Sequence, residues 1–298
     1  MGIILPVGEA WGVYLRKTGK KGIKLDPLII YHGNCLDGNG AAVVAYKYFG
    51  DRAEYRPTKY GDPPPTDEEC INRRIYMLDF SFPRKEIIRM DKLSGGKLTV
   101  IDHHQTAQFD LEGLDYTVFN MDHCGAYLAW EFFYPALPVP KMILYIQDKD
   151  LWKWNLPMSR EISAALHAES FDFQKWLTIL ETWDGEEPKL ISDGKAMMKV
   201  VNEFVKEMTK TAEKMELSGI ETLAVNASVL HSEVLAELSK IKPPMGVGWV
   251  WDGSRKLYQV SLRSTGDFDV SKIAKTHGGG GHKNAAGFIC KTLPWKKQ

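Results

Sequence analysis

The sequence predicts an α/β protein with an N-terminal domain built on a parallel sheet, a helical linker and a smaller C-terminal α/β domain. Three observations carry that prediction. Short apolar runs, "PLIIYH", "RIYMLDFSF" and "KLTVIDHH", alternate with helical stretches through the first hundred residues, as buried parallel strands and their crossover helices do. A long polar-faced stretch at 190–219 then separates two regions of different character. Finally, 298 residues suffice for two domains of ordinary size, with 44% hydrophobic residues to fill their cores.

Each element has its own signal. Residues 27–32 read as the first strand, and the Gly-rich "GNCLDGNG" leads into a helix that Gly50 ends. Glu54 to Pro57 read as a strand before a proline-rich surface loop. Residues 74–82 read as a strand, and "PRKEIIRMDKLSG" as a helix with proline at its start and glycine at its end. "KLTVIDHH" is another strand; "GAYLAWEFFYPA", "VPKMILYIQDKDLWKW" and "FDFQKWLTILETW" read as helices. Residues 190–219 read as one long helix with an early glycine. After it, "ETLAVNAS" is a strand, "LHSEVLAELSK" a helix, and "GVGWVWDG" with "KLYQVSLRST" a strand pair. "DVSKIAKTHGGGGHKNAAGFIC" reads as helix, open glycine loop and strand.

Composition narrows the function classes. Lys plus Arg equals Asp plus Glu at 38 each, which argues against a long nucleic-acid groove but not against a short phosphorylated ligand. Cys35, Cys70, Cys124 and Cys290 form no CxxC pair, so neither a disulfide frame nor a Cys-rich zinc site is expected, and a reducing, cytoplasmic setting is. No apolar run approaches the roughly 20 residues of a membrane span. Arg16, Lys17, Lys20, Lys21 and Lys24 give the N-terminus a weak likeness to an organelle-targeting segment, against which Glu9 and scattered glycines count.

Ligands of open parallel sheets bind at the carboxyl ends of the strands, and there this sequence places metal-binding residue types. The first strand ends at His32 with Asp37 behind it, the next at Asp79, the third at Asp102, His103 and His104. Asp148 and Asp150 follow on a helix. Any one of these could be a cap or a hydrogen-bonded histidine. Three successive strands ending in one ligand class make caps an insufficient account, and imidazole with carboxylate suits Mn²⁺, Mg²⁺, Fe²⁺ or Zn²⁺. Phe80, Trp152 and Trp154 lie near these positions and read as core. Farther on, Arg263 can grip a phosphate bidentately, Gly278, Gly279, Gly280 and Gly281 can turn amides toward an anion, and His282 can add a hydrogen bond or stack on a base.

Asp102-His103-His104 resembles the signature of the DHH phosphoesterases, a superfamily of single-strand exonucleases, nanoRNases, nucleotide phosphatases, exopolyphosphatases and family II pyrophosphatases. "VSLRST…DVSKIAKTHGGGGHKNAAGF" resembles the DHHA1 domain that accompanies many of them. The likeness implies an N-terminal extension at 1–27, a DHH-type metal-binding catalytic domain at 28–188, a linker helix at 189–219 and a DHHA1-type substrate-binding domain at 220–298. It implies metal ligation by His32, Asp37, Asp79, Asp102, His103 and Asp148, with Asp79 bridging and Mn²⁺ ahead of Mg²⁺. Asp148 is preferred to Asp150 because Trp152 follows it by four residues, as an aromatic does in the family. His104, with Asp102, takes the catalytic role by facing the substrate phosphate. Most relatives carry two aspartates one residue apart in the first motif; here Asn34 and Asp37, then Asn39, depart from that spacing, which leaves one or two ions open.

The implied activity is hydrolysis of phosphodiester or phosphomonoester bonds by ion-activated water, in the manner of a 3′–5′ exonuclease or nanoRNase. The expected substrate is a short oligonucleotide or small nucleotide phosphate, without a membrane partner and with a homodimer left open. Two alternatives stand beside it. One is a phosphoanhydride hydrolase of the exopolyphosphatase or pyrophosphatase kind; the other is a nucleotide-binding member whose catalytic site has decayed.

Overall fold

The computed structural model describes residues 26–297 apart from 34, so the N-terminal extension with its basic residues, and Asn34, lie outside the described residues. The chain divides after Ile191 into two compact units, with His104–Thr106 assigned to the second. Among the described residues no helix is long and apolar enough to cross a membrane.

The first unit opens with β1 (Leu28–His32) and α1 (Leu36–Phe49), followed by β2 (Glu54–Thr58) and the short α2 (Asp67–Cys70). β3 (Ile75–Leu78), α3 (Arg84–Ser94), β4 (Leu98–Asp102), α4 (Gln105–Asp110) and β5 (Thr117–Phe119) complete a five-stranded sheet ordered β2-β1-β3-β4-β5, in which every pair is parallel. Helices α5 (Gly125–Phe133), α6 (Lys141–Asp150), α7 (Ser159–Ala168) and α8 (Phe173–Glu181) follow. Neighbouring residues of β1 go to opposite faces: Ile29 and Tyr31 join the core under α1, α5 and α6, while Leu28 and Ile30 join a second core under α3. Burial on both faces explains why these strands read as continuous apolar runs.

The strand expected over 74–82 stops at Leu78, because Asp79 takes a left-handed backbone with φ +54° and turns the chain out of the sheet. The helix expected over 190–219 is α9 (Trp183–Lys210), and residues 213–217 form a strand instead. In "EKMEL" Met215 and Leu217 are buried while Glu213, Lys214 and Glu216 are exposed, a period-two pattern that a helix cannot satisfy.

In the second unit, β6 (Glu213–Leu217), β7 (Ile220–Asn226), α10 (His231–Ile241), β8 (Met245–Asp252), β9 (Leu257–Ser264), α11 (Val270–Thr276), β10 (Gly280–His282), β11 (Ala285–Cys290) and β12 (Lys296–Lys297) build a seven-stranded sheet. Its order is β10-β11-β9-β8-β7-β6-β12; β7 and β8, joined through α10, are parallel and the other pairs antiparallel. Val247, Val260, Leu262, Val270, Ala274 and Phe288 fill its main core.

Candidate metal centre

In the strand order of the first sheet, the chain runs from β1 to β2 on one side and then crosses back to β3 on the other, and this reversal opens a crevice at the carboxyl end of the β1–β3 pair. His32 closes β1 there, and Asp79 follows β3 directly. The His32 Nδ1 lies 3.4 Å from Asp79 Oδ2. Asp37, in the first turn of α1, is only 2% exposed. Its carboxylate accepts the Gly125 amide at 2.6 Å and the Ala126 amide at 2.7 Å, the unpaired donors at the N-terminus of α5. α5 can come this close only because residue 125 is glycine; a Cβ there would stand 2.5 Å from that of Asp79.

β4 delivers Asp102 and His103, both buried. Asp102 Oδ1 accepts the main-chain N–H of His103 at 2.7 Å, which sets the direction in which the imidazole leaves the strand. Three carboxylates converge on that imidazole. His103 Nε2 lies 3.2 Å from Asp79 Oδ1, 3.3 Å from Asp37 Oδ2 and 3.6 Å from Asp150 Oδ2. Asp79 thus turns one oxygen to His32 and the other to His103.

The electrostatics of this cluster are those of a cation site. Burial raises the Asp37 pKa well above the usual carboxylate range, and the charges of Asp79 and Asp150 raise it further. Burial alone would lower the pKa of His103, but the hydrogen bond with Asp79 and the charges of Asp150 and Asp37 outweigh it and raise it to about 10. Even as an imidazolium, His103 sets one positive charge against three carboxylates, those of Asp37 and Asp79 buried and that of Asp150 partly exposed. Buried charge of one sign is costly unless a counter-charge is supplied. Donor atoms of Asp37, Asp79 and His103 lie within 4.8 Å of one another, as do those of His32, Cys35 and Asp79. These residues fit a divalent ion held by mixed nitrogen and oxygen donors.

The expected ligands His32, Asp37, Asp79 and His103 therefore come together, and Asp102 also offers a ligand atom within 4.8 Å of one from Asp79. Asp148 does not join them. Its two oxygens accept the amides of Asn155 at 2.9 Å and Leu156 at 3.1 Å, so it ties down the loop after α6. Asp150 faces the imidazole instead, which reverses the order of preference read from the aromatic spacing. Residues i and i+2 on a helix point about 200° apart, so two aspartates at that spacing cannot serve one site. Phe80 is core as expected, whereas Trp152 and Trp154 are half-buried with φ of +56°, and the Arg160 guanidinium carbon sits 4.2 Å from the Trp154 ring centre. Sequence reasoning also passed over Cys35, whose signal was its place one residue before Leu36 and two before Asp37.

In the second unit, Arg263 lies on β9, its guanidinium donating to Leu262 O at 2.9 Å and Ser232 Oγ at 2.8 Å. Ala285 pairs with both Arg263 and His282, so those two residues occupy one cross-strand row and the same face of the sheet. His104, half-buried, is grouped with this unit. The glycine stretch differs from the open loop expected. The Gly278 amide donates to Lys275 O at 3.0 Å and the Gly279 amide to Ala274 O at 2.8 Å, closing the end of α11. Gly280 and Gly281 belong to β10. A Cβ on Gly279 would meet the Gly287 carbonyl oxygen at 2.1 Å, so tight strand packing accounts for the glycine, and the amides of Gly278 and Gly279 are engaged within the chain rather than turned toward an anion.

Residues 225–297 match the DHHA1 domain family. An uncharacterized protein of Acanthamoeba polyphaga mimivirus is 30% identical over 298 residues, covering 91% of this chain and 70% of that protein. Oligoribonuclease NrnB of Bacillus subtilis (strain 168) is 25% identical over 292 residues, covering 87% of this chain and 71% of that protein. Among solved structures, the pGpG-specific phosphodiesterase PggH of Vibrio cholerae aligns with a TM-score of 0.47 and 10% identity, over 89% of this chain and 93% of that one.

Proposed function

The chain belongs to the DHH/DHHA1 phosphoesterase superfamily, and from that premise we propose that it hydrolyses phosphodiester bonds of short oligonucleotides in a Mn²⁺-dependent reaction. The observation that carries this reading is Asp79, buried at a strand end with one oxygen toward His32 and the other toward His103. Such a carboxylate can serve two ion positions at once. The likeness to an oligoribonuclease over 87% of the chain and the zero net charge both favour a short substrate over a long polymer.

His32, Asp37, Asp79, His103 and Asp150 would hold the ions. Bound there, divalent ions would offset the charge of the phosphate and lower the pKa of a water so that hydroxide is available near neutral pH. The residues of the chain prepare the site for them. The α5 amides hold Asp37 in place, and Asp102 fixes the direction of His103. His104 donates a hydrogen bond to the phosphate or protonates the leaving oxygen. Arg263 and His282, on one face of the second sheet, bind substrate through their side chains.

A substrate panel tests the reading: dinucleotides, longer RNA and DNA, bisphosphorylated adenosine, polyphosphate and pyrophosphate, each with the chelated and the Mn²⁺-reloaded protein. Dinucleotides and short oligonucleotides should turn over fastest, with activity lost on chelation and restored by Mn²⁺. Full activity after exhaustive chelation, or a preference for polyphosphate or pyrophosphate, would overturn it.

A further inference from the structure

We propose that Cys35 is a thiolate ligand of the metal centre, and that it biases the His32–Asp79 end of the site toward transition ions and against Mg²⁺. The inference rests on the metal-dependent reading above and adds a donor of a different chemical class to it.

Geometry carries the argument. The Cys35 Sγ lies 3.4 Å from His32 Nδ1 and 3.4 Å from Asp79 Oδ2, the two donors that face each other across the β1–β3 crevice. The three donor atoms fall within 4.8 Å of one another, the compactness of a single ion's ligand set. Cys35 and Asp37 flank Leu36, so they reproduce the one-residue separation of the two first-motif aspartates, with sulfur in the place of the first carboxylate. The departure noted at Asn34 is thereby relocated: the paired ligands are still present, and one has changed its donor atom.

The competing account makes Cys35 a helix cap. Its sulfur does accept the Gly38 amide at 3.1 Å, at the N-terminus of α1. Capping alone, however, favours Ser, Thr, Asp or Asn, whose oxygens accept an amide better than sulfur does. It also requires no approach to Asp79, which is 44 residues away. The two roles are compatible, because an amide donating to a metal ligand orients that ligand. A cysteine here costs cap strength, and what it supplies in exchange is a soft donor. Thiolate favours transition ions, whereas Mg²⁺ takes oxygen donors and gives up its waters reluctantly. Binding releases the thiol proton to solvent.

The test is Co²⁺ binding to the full-length protein, followed optically and by metal content, in the native chain and in Cys35→Ser, Cys35→Asp and Cys124→Ser. Cys124 is included because its thiol lies against Asp37. The expected result is a near-ultraviolet sulfur-to-cobalt charge-transfer band in the native chain and in Cys124→Ser, absent from Cys35→Ser and Cys35→Asp. Cys35→Ser should bind Co²⁺ at least about tenfold more weakly, and Cys35→Asp should shift the Co²⁺-over-Mg²⁺ preference toward Mg²⁺ by about tenfold or more. Both variants keep an oxygen to cap α1, so thermal unfolding should show them folded. Co²⁺ bound with no sulfur band, and with equal affinity in Cys35→Ser, would end this inference while leaving the metal centre intact. No Co²⁺ bound to the native chain, with Mn²⁺ and Mg²⁺ also failing to bind, would end the metal centre and this inference with it.

Discussion

The two sheets of this protein put their chemistry in different places. The first has five parallel strands, so all their carboxyl ends fall on one edge, and His32, Asp79 and Asp102 with His103 gather there. The second is mostly antiparallel, its strand ends alternate between edges, and its notable polar side chains, Arg263 and His282, lie along a cross-strand row on one face. A parallel sheet concentrates charge that has nowhere to spread, which suits metal ions. A mixed sheet spreads donors over a surface, which suits recognition of a ligand by several weaker contacts.

The strongest way to break this contrast is Asp79→Asn. The amide keeps the size of the side chain and removes the charge that faces both imidazoles. The loss expected is about 4 kcal/mol of transition-state stabilisation, or roughly a thousandfold in kcat/KM. Metal content measured on the same preparation should fall with it. A variant that retains metal and near-native kcat/KM would show that the strand-end cluster is a structural network.

Next in size is a split between two aspartates on one helix. Asp148→Ala leaves the Asn155 and Leu156 amides without their acceptor, so it should cost about 2 kcal/mol of stability. Asp150→Asn touches only the cluster, so it should weaken metal binding by roughly 10–100-fold while barely moving Tm. Calorimetry for stability and metal titration for affinity separate the two, and the opposite pattern would restore Asp148 as the ligand.

How much of this was legible in the sequence follows from the range of the interactions involved. Strand ends and the His and Asp side chains that gather there were readable because an apolar run followed by His or Asp is a local pattern, and local patterns decide where a buried strand stops. The choice between Asp148 and Asp150 was not readable, since it turns on which face of α6 meets His103, a fact of tertiary packing. Aromatic spacing pointed to the residue that secures the loop. Residues 213–217 were absorbed into a helix because their polarity continues that of α9, and only the burial of Met215 and Leu217 against a second sheet reveals the period of two. The glycine stretch was read by composition as an anion loop, whereas two of its amides close α11 and two of its glycines enter β10. Glycine signals an unusual backbone demand without saying which one.

A smaller effect sharpens the role of the second sheet. Arg263→Ala removes a charged donor, and a loss of about 2 kcal/mol in kcat/KM is expected, mainly as a raised KM. Ser232→Ala keeps the guanidinium but removes one of the groups that hold it, so it should raise KM less, by about 1 kcal/mol. Steady-state kinetics on a dinucleotide measure both. Unchanged kinetics for Arg263→Ala would leave the row on β9 and β10 without a substrate role.

The smallest effect is a pH dependence of stability that should belong to the first unit alone and only when metal is removed. The His103 pKa stands at about 10 in the fold, because the hydrogen bond with Asp79 and the carboxylate charges overcome the opposing effect of burial. Its ordinary value is about 6.5, so the stability it contributes is complete below that pH and is lost as pH rises through about 10. Asp37 is raised by burial first and by the charges of Asp79 and Asp150 next. An acid with a raised pKa destabilises the fold increasingly as pH climbs past its ordinary value toward the shifted one. The two signs agree, so the chelated protein should lose stability as pH rises from about 6.5 to about 10. The acids share one cluster into which water can enter, which limits the expected loss to about 1 kcal/mol, or roughly 2–4 °C in Tm. A bound divalent ion supplies the missing positive charge, so reloading with Mn²⁺ should flatten the profile. Hydrogen exchange locates the effect: amides of β1, β3 and β4 should lose protection with rising pH in the chelated protein, and amides of β8 and β9 should not. Equal loss in both sheets would mean that the pH dependence has another origin, and that the carboxylates around His103 are less isolated from water than their burial implies.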